Sequence, residues 1–381
     1  MVPFSLETPR AVHFGAGALE KLSAVADAAG KKTLVLSGPG WFARSPWRGR
    51  IAEALRGGAV EWLSIRSAEP GTMSLEEARA AAASFAPELI VAVGGGSVLD
   101  SGKALSALLR APEPVERYLE GTEGARPVPG PCIPWVAIPT TAGTGAEVTK
   151  NAVVKSDSLG VKRSIRSPRL LASAVIVDPR LAVSLPRAET GTSGLDALTQ
   201  LVESYVTRAA NPLVRSMVEG AFPLMLDALA GLPARPGDEE LRARAAYGAL
   251  VSGIALANAG LGAAHGFAAA VGGLFDVPHG LACAVFLPHV LKANEAVISD
   301  DIARLARLTG DPGAEKDPVG WLGDKVVRLQ AAFGLPADLH GYHIPRERIR
   351  EVAEKSSGNS MKGNPRDLAI EERMEILGRV V

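Results

Sequence analysis

Apolar runs alternate with short polar breaks through the first half of the chain. Residues 33–36 form a β-rich run closed by Ser37-Gly38-Pro39-Gly40, and residues 60–65 form a second. Leu89-Ile90-Val91-Ala92-Val93 is apolar at every position, as expected of a strand covered on both faces. Residues 135–138 and 174–177 repeat that pattern. Helical patterns lie between these runs. Ser74-Leu75-Glu76-Glu77 has the spacing of a capping box and predicts an Ala-rich helix to about residue 85, and residues 98–109 predict another. Strands alternating with helices predict a mainly parallel sheet. The polar turn Ser156-Asp157-Ser158-Leu159-Gly160, within residues 153–165, predicts a hairpin.

Beyond Asp178-Pro179 the β-branched runs become scarce and long Ala/Leu-rich helical patterns take over after Pro186. The expected division is an α/β domain over residues 1–185 and an all-helical domain over residues 186–381, with inter-helix loops at 231–237 and 310–318. Residues 245–275 carry no formal charge and are long enough to span a bilayer. Their Ala/Gly-rich content, the central Asn258 and the lack of basic or aromatic flanks predict two core helices instead, broken near Gly260-Leu261-Gly262.

Composition narrows the partners. With 381 residues, about two to three domains are expected. Lys plus Arg equals Asp plus Glu at 41 each, so no global field draws in nucleic acid or anionic membrane. Two cysteines, Cys132 and Cys283, cannot build a disulfide framework. Residues 1–5 show neither a basic nor an apolar leader region, and a soluble, cytoplasmic protein is expected.

Gly94-Gly95-Gly96-Ser97 directly follows the 89–93 strand and precedes a helix. This arrangement lets backbone and helix N–H groups approach a pyrophosphate. It lacks the six-residue spacing of the dinucleotide fingerprint, so a plain strand-to-helix turn is an equal reading. Pro139-Thr140-Thr141-Ala142-Gly143-Thr144-Gly145-Ala146-Glu147-Val148-Thr149 is denser in small hydroxyl residues than a merely structural loop, and it follows a strand end. In Gly194-Leu195-Asp196-Ala197-Leu198-Thr199-Gln200-Leu201-Val202-Glu203, Asp196 and Gln200 share a helix face at i, i+4, although a helix-start Asp that favours the dipole is the stronger reading of this motif alone. His265 and His279 are two of only six histidines, the first inside the uncharged stretch and the second just beyond it.

Taken in order, these motifs, with Ala263-Ala264-His265-Gly266-Phe267 and Val277-Pro278-His279-Gly280, resemble the iron-containing (group III) alcohol dehydrogenase family, within the dehydroquinate synthase-like superfamily. The resemblance implies a Rossmann-like α/β domain, a helical domain and a cleft between them. It implies an NAD(P)-dependent oxidoreductase acting on a small alcohol, aldehyde or keto acid, and a homodimer. Gly95, Gly96 and Ser97 match the pyrophosphate turn, with Asp100 and Lys103 on the next helix. Thr140, Thr141 and Thr144 match the adenine and ribose side, and Lys162 a lysine near the nicotinamide ribose. The family's iron or zinc ligands correspond to Asp196, Gln200, His265 and His279, the two histidines being the catalytic candidates. Gln200 and Ala269 replace family histidines, and Cys283 replaces an Asn, so the metal site is expected to be degenerate. The place of a ribose-binding Asp falls on Gly38, which leaves room for a 2′-phosphate and predicts that NADP(H) is used at least as well as NAD(H).

Three other readings remain open at this level. They are a metal-free reductase of the maleylacetate reductase type, a non-catalytic dinucleotide-binding remnant, and a lyase of the dehydroquinate synthase type.

Overall fold

The fully apolar runs become the inner strands of a six-stranded sheet whose strand pairs are all parallel. The computed structural model describes residues 3–66, 70–158 and 161–381. Among these residues the strands are β1 (Val12–Phe14), β2 (Lys32–Ser37), β3 (Ala59–Ser64), β4 (Leu89–Gly94), β5 (Trp135–Pro139), β6 (Asn151–Ser156), β7 (Val161–Arg166) and β8 (Ala174–Val177). The helices are α1 (Lys21–Ala29), α2 (Trp41–Arg44), α3 (Pro46–Ala54), α4 (Thr72–Ala83), α5 (Gly96–Leu108), α6 (Arg187–Val206), α7 (Pro212–Gly231), α8 (Glu239–Ala259), α9 (Ala263–Phe275), α10 (His279–Arg307), α11 (Pro318–Phe333), α12 (Ile349–Lys355), α13 (Asn359–Gly363) and α14 (Ile370–Gly378).

The sheet order is β1-β8-β5-β4-β2-β3. Leu34–Leu36, Leu89–Val93 and Val136–Ile138 are completely buried, the consequence of helices covering both faces. Strands β2 and β4 are neighbours, Thr33 opposite Leu89 and Ser37 opposite Val93. From this pair the chain departs in opposite directions, β2 to β3 on one side and β4 to β5 on the other. That is the topological switch point at which open α/β sheets bind ligands, beyond the carboxyl ends of the strands.

The predicted hairpin forms as a separate antiparallel pair, β6 with β7, Asn151 opposite Arg166. Leu159 and Gly160 of its turn lie outside the described residues. The expectation for Ser74 is corrected. Helix α4 starts at Thr72 with Gly71 before it, and Ser74 sits in the first turn, its Oγ accepting from Gly71 N at 3.0 Å. The cap is supplied by Asp157 instead, whose Oδ2 accepts from Met73 N at 2.8 Å.

The chain divides into two compact units. One comprises Glu7–Thr141 and Gly145–Ala182, the other Met1–Leu6, Ala142–Thr144 and Val183–Val381. In the helical unit, Leu195, Leu198 and Leu201 of α6 pack with Phe222 and Met225 of α7 in one apolar core, and α9 joins the first half of α10 in another. The uncharged stretch does break, α8 and α9 meeting at 97°. Gly260 at the bend has φ of 79°, a conformation that a side chain disfavours. Helix α10 is long and apolar enough to cross a membrane, but 61% of its most apolar window is buried within the protein.

Candidate active site

In the sheet unit the predicted coenzyme residues gather at the carboxyl ends of three adjacent strands. Gly38 follows β2, Gly95 and Gly96 follow β4, and Thr140 follows β5, its N–H donating to Gly94 O at 3.0 Å. Helix α5 starts at Gly96, with Val98 N and Leu99 N donating to Gly95 O at 3.0 and 3.1 Å, and the dipole at this end of the helix favours an anion. Backbone must come close here. A Cβ on Gly95 would already lie 3.3 Å from Thr141 Cγ2. Beside Gly38 a Cβ would meet nothing within 4 Å.

Asp100 and Lys103 have a different place. Lys103 is fully buried, and its Nζ donates to Asp100 Oδ1 at 3.1 Å, Thr149 Oγ1 at 2.7 Å and Asn151 O at 2.6 Å. Asp100 Oδ2 accepts from Val153 N at 3.0 Å. Both groups are consumed in fastening α5 to the hairpin, on which Lys162 stands partly exposed opposite Lys155. Nearby Glu147 is buried, and that burial pushes its carboxyl up to about 7. The threonine-rich segment is shared out, Thr140 and Thr141 belonging to the sheet unit and exposed Thr144 to the helical one.

In the helical unit, Asp196, His265, His279 and Cys283 converge, with one ligand atom of each within 4.8 Å of the others. Asp196 comes from the middle of α6. His265 lies in the first turn of α9. His279 opens α10, and Cys283 follows one turn later on the same face. Gly280 permits the convergence, because a Cβ there would stand 2.3 Å from Thr192 O on α6. His265 Nε2 faces Asp196 Oδ1 at 3.2 Å, His279 Nε2 lies 3.8 Å from that oxygen, and Cys283 Sγ lies 3.7 Å from His279 Nε2. The His279 side chain is 41% exposed, whereas Asp196 and His265 are buried.

Glu203, the last residue of the 194–203 motif, holds this cluster from behind. Its Oε2 accepts from Gly262 N at 2.9 Å and lies 2.6 Å from His265 Nδ1, and its Oε1 accepts from Ala264 N at 2.7 Å. It therefore caps α9 and keeps the Nδ1 proton of His265 on its own side, which turns the Nε2 lone pair toward Asp196. The available signal was its position seven residues after Asp196, on the same helical stripe.

A lone pair aimed at a carboxylate at 3.2 Å is stable only with positive charge between them. Burial alone would raise the Asp196 carboxyl, but the hydrogen bond to His265 and the nearby charge of His279 outweigh it and hold the group below its ordinary range. Burial likewise opposes a charged His265 ring, yet the Cys283 sulfur and the bonds to Asp196 and Glu203 carry it well above the usual imidazole value. The Cys283 sulfur also raises His279. One oxygen, two imidazole nitrogens and a sulfur suit a borderline divalent metal as well as they suit protons, so the residues present fit the implied group.

Gln200 is buried one turn beyond Asp196, but its amide is engaged elsewhere. Its Oε1 accepts from Ser252 Oγ at 2.7 Å, and its Nε2 donates to Thr144 O at 3.3 Å. Ala269 is exposed on α9, although Phe267, Ala268, Ala270 and Val271 beside it are buried.

Comparison with known proteins identifies the family. The family model for iron-containing alcohol dehydrogenase matches residues 9–179, and that for the Fe-containing alcohol dehydrogenase family, C-terminal, matches residues 190–381. The chain is 29% identical to an NADPH-dependent butanol dehydrogenase of Clostridium saccharobutylicum, over 99% of this chain and 97% of that one. It is 33% identical to a maleylacetate reductase of Burkholderia cepacia, over 96% and 93% of the two chains. The crystal structure of a 1,3-propanediol oxidoreductase superposes with a TM-score of 0.92 at 29% identity, covering 100% of both chains. By fold, motif order and full-length similarity, the chain belongs to the iron-containing alcohol dehydrogenase family.

Proposed function

We propose that this protein interconverts a small alcohol and its aldehyde or ketone by hydride transfer with NAD(P), assisted by a divalent metal held by Asp196, His265 and His279. The observation that carries this reading is the facing of His265 Nε2 and Asp196 Oδ1 at 3.2 Å beside partly exposed His279. A bound divalent cation would supply Lewis-acid polarisation of the substrate oxygen. Glu203 fixes the tautomer and tilt of His265, and His279 forms the solvent-facing edge of the site. Gly95, Gly96 and Ser97 bind the coenzyme pyrophosphate, with Thr140 and Thr141 beside them. Asp100 and Lys103 act as positioning residues that anchor the hairpin carrying Lys162. The open space at Gly38 accommodates the NADP 2′-phosphate.

Steady-state oxidation of NADPH and NADH against short-chain aldehydes, hydroxyketones and keto acids tests this reading. Turnover of at least one carbonyl substrate is expected, whereas coenzyme binding without turnover of any would overturn it. A second reading, a metal-independent reductase of the maleylacetate kind, is supported by the 33% identity to a maleylacetate reductase over 96% of the chain. It would also leave the two histidines to orient or protonate a substrate directly. Full activity after chelator treatment selects it.

A further inference from the structure

Residue 200 is where the resemblance implies a metal ligand, yet Gln200 has its amide oxygen bound by Ser252 at 2.7 Å and its amide nitrogen bound to Thr144 O at 3.3 Å. The fourth atom in the cluster is Cys283 Sγ, which shares one face of α10 with His279. Bonds of about 2.0–2.3 Å to a tetrahedral zinc place neighbouring donor atoms about 3.3–3.8 Å apart. Three of the six separations are 3.2 Å (His265 Nε2 to Asp196 Oδ1), 3.8 Å (His279 Nε2 to Asp196 Oδ1) and 3.7 Å (Cys283 Sγ to His279 Nε2), and the other three are within 4.8 Å. The three given values span nearly the same interval as the tetrahedral edges.

We infer that Cys283 is the fourth metal ligand of this chain in place of residue 200, giving an Asp-His-His-Cys thiolate centre selective for zinc or cobalt over iron(II). The inference rests on the metal-assisted reading above and specifies its donor set. On binding, the Cys283 S–H bond breaks, its proton passes to water, and the sulfur pair forms the metal bond, with no change in oxidation state. Selectivity follows from softness. A thiolate favours zinc over iron(II) more than an amide or carboxylate oxygen does, adding to the general order in which iron(II) binds more weakly than cobalt(II) and zinc. Cys283 is itself completely buried, so the sulfur is kept from bulk solvent while His279 remains accessible.

The test is anaerobic titration of chelator-stripped full-length protein with cobalt(II), followed by absorption spectroscopy and by competition with zinc and iron(II). One cobalt per chain is expected, with visible d–d bands and a near-ultraviolet sulfur-to-cobalt charge-transfer band. Cys283→Ser should lose the near-ultraviolet band while keeping d–d bands, and its zinc affinity should fall by at least the roughly 10-fold that outer-shell partners alone can control. Gln200→Ala should retain the charge-transfer band. Unchanged NADPH binding and circular dichroism in each variant will show that the fold is intact. Cobalt that binds without a charge-transfer band, or a band that survives in Cys283→Ser, would overturn the thiolate assignment alone. A protein that takes up no cobalt would overturn the metal-assisted reading and this inference with it.

Discussion

Replacing Glu203 by Gln probes the support of the cluster without touching the coenzyme residues. The carboxylate is buried and accepts three hydrogens, from Gly262 N, Ala264 N and His265 Nδ1. An amide offers one oxygen and one NH2, so at least one donor meets a donor. An unsatisfied buried N–H costs about 1–3 kcal/mol. Loss of the negative charge at the N-terminus of α9 adds about 0.3–1 kcal/mol, up to about 2 in a buried setting. The expected destabilisation is roughly 2–4 kcal/mol, a fall in Tm of roughly 5–15 °C for a domain of this size. If the NH2 turns toward His265, the ring proton moves to Nε2 and the lone pair facing Asp196 is lost. Metal affinity should then drop about 10–100-fold, as for other outer-shell partners. Thermal unfolding of the apo-protein and zinc competition titration read the two effects separately. A lowered Tm with unchanged zinc affinity would reduce Glu203 to a helix cap and refute the orienting role.

Other expectations follow from the sheet unit. Gly95→Val should abolish coenzyme binding in a fluorescence titration while the apo-protein still unfolds cooperatively, because branched methyls would occupy the approach to the α5 N-terminus; unchanged NADPH affinity would refute the assignment of this turn. NADPH should give a kcat/KM at least equal to that of NADH, since nothing stands within 4 Å of a Cβ at Gly38, and a strong preference for NADH would show that the 2′-phosphate is rejected elsewhere. Burial raises Glu147 from 4.5 to about 7, so its stabilising protonated form is retained below about pH 4.5 and lost as pH rises through about 7. At 1.36 kcal/mol per unit, this removes up to roughly 3 kcal/mol of stability by pH 8. Glu147→Gln should flatten that part of the profile in urea unfolding at pH 5.5 and 8, and an unaltered slope would contradict it.

The sheet was legible because its inner strands are apolar on both faces. Residues 89–93, 135–138 and 174–177 admit no amphipathic alternative, and the 97° break at Gly260 was visible as glycine punctuation in a stretch without charge. What escaped the sequence depends on contacts between distant segments. Ser74 looked like a helix cap because the competing donor and acceptor, Met73 N and Asp157, are brought together only by the fold. Asp100 and Lys103 stand beside the glycine turn in sequence, but burial against the hairpin commits them to each other and to Thr149, Asn151 and Val153. Spacing placed Gln200 one turn from Asp196 and Cys283 one turn from His279, yet only the position of Ser252 on α8 decides where the amide points. Glu203 was invisible as a ligand support because all three of its partners lie some sixty residues away, at the start of α9.

The proposed activity is hydride transfer with NAD(P), assisted by a divalent metal held by Asp196, His265 and His279. Its most direct test is NADPH oxidation by chelator-stripped protein, measured with the best carbonyl substrate of the panel before and after one equivalent of zinc or cobalt(II) per chain. The stripped protein is expected to bind NADPH but turn over almost no substrate, with activity returning in proportion to metal until the one-to-one point. Undiminished turnover in protein shown by elemental analysis to contain no metal would contradict it.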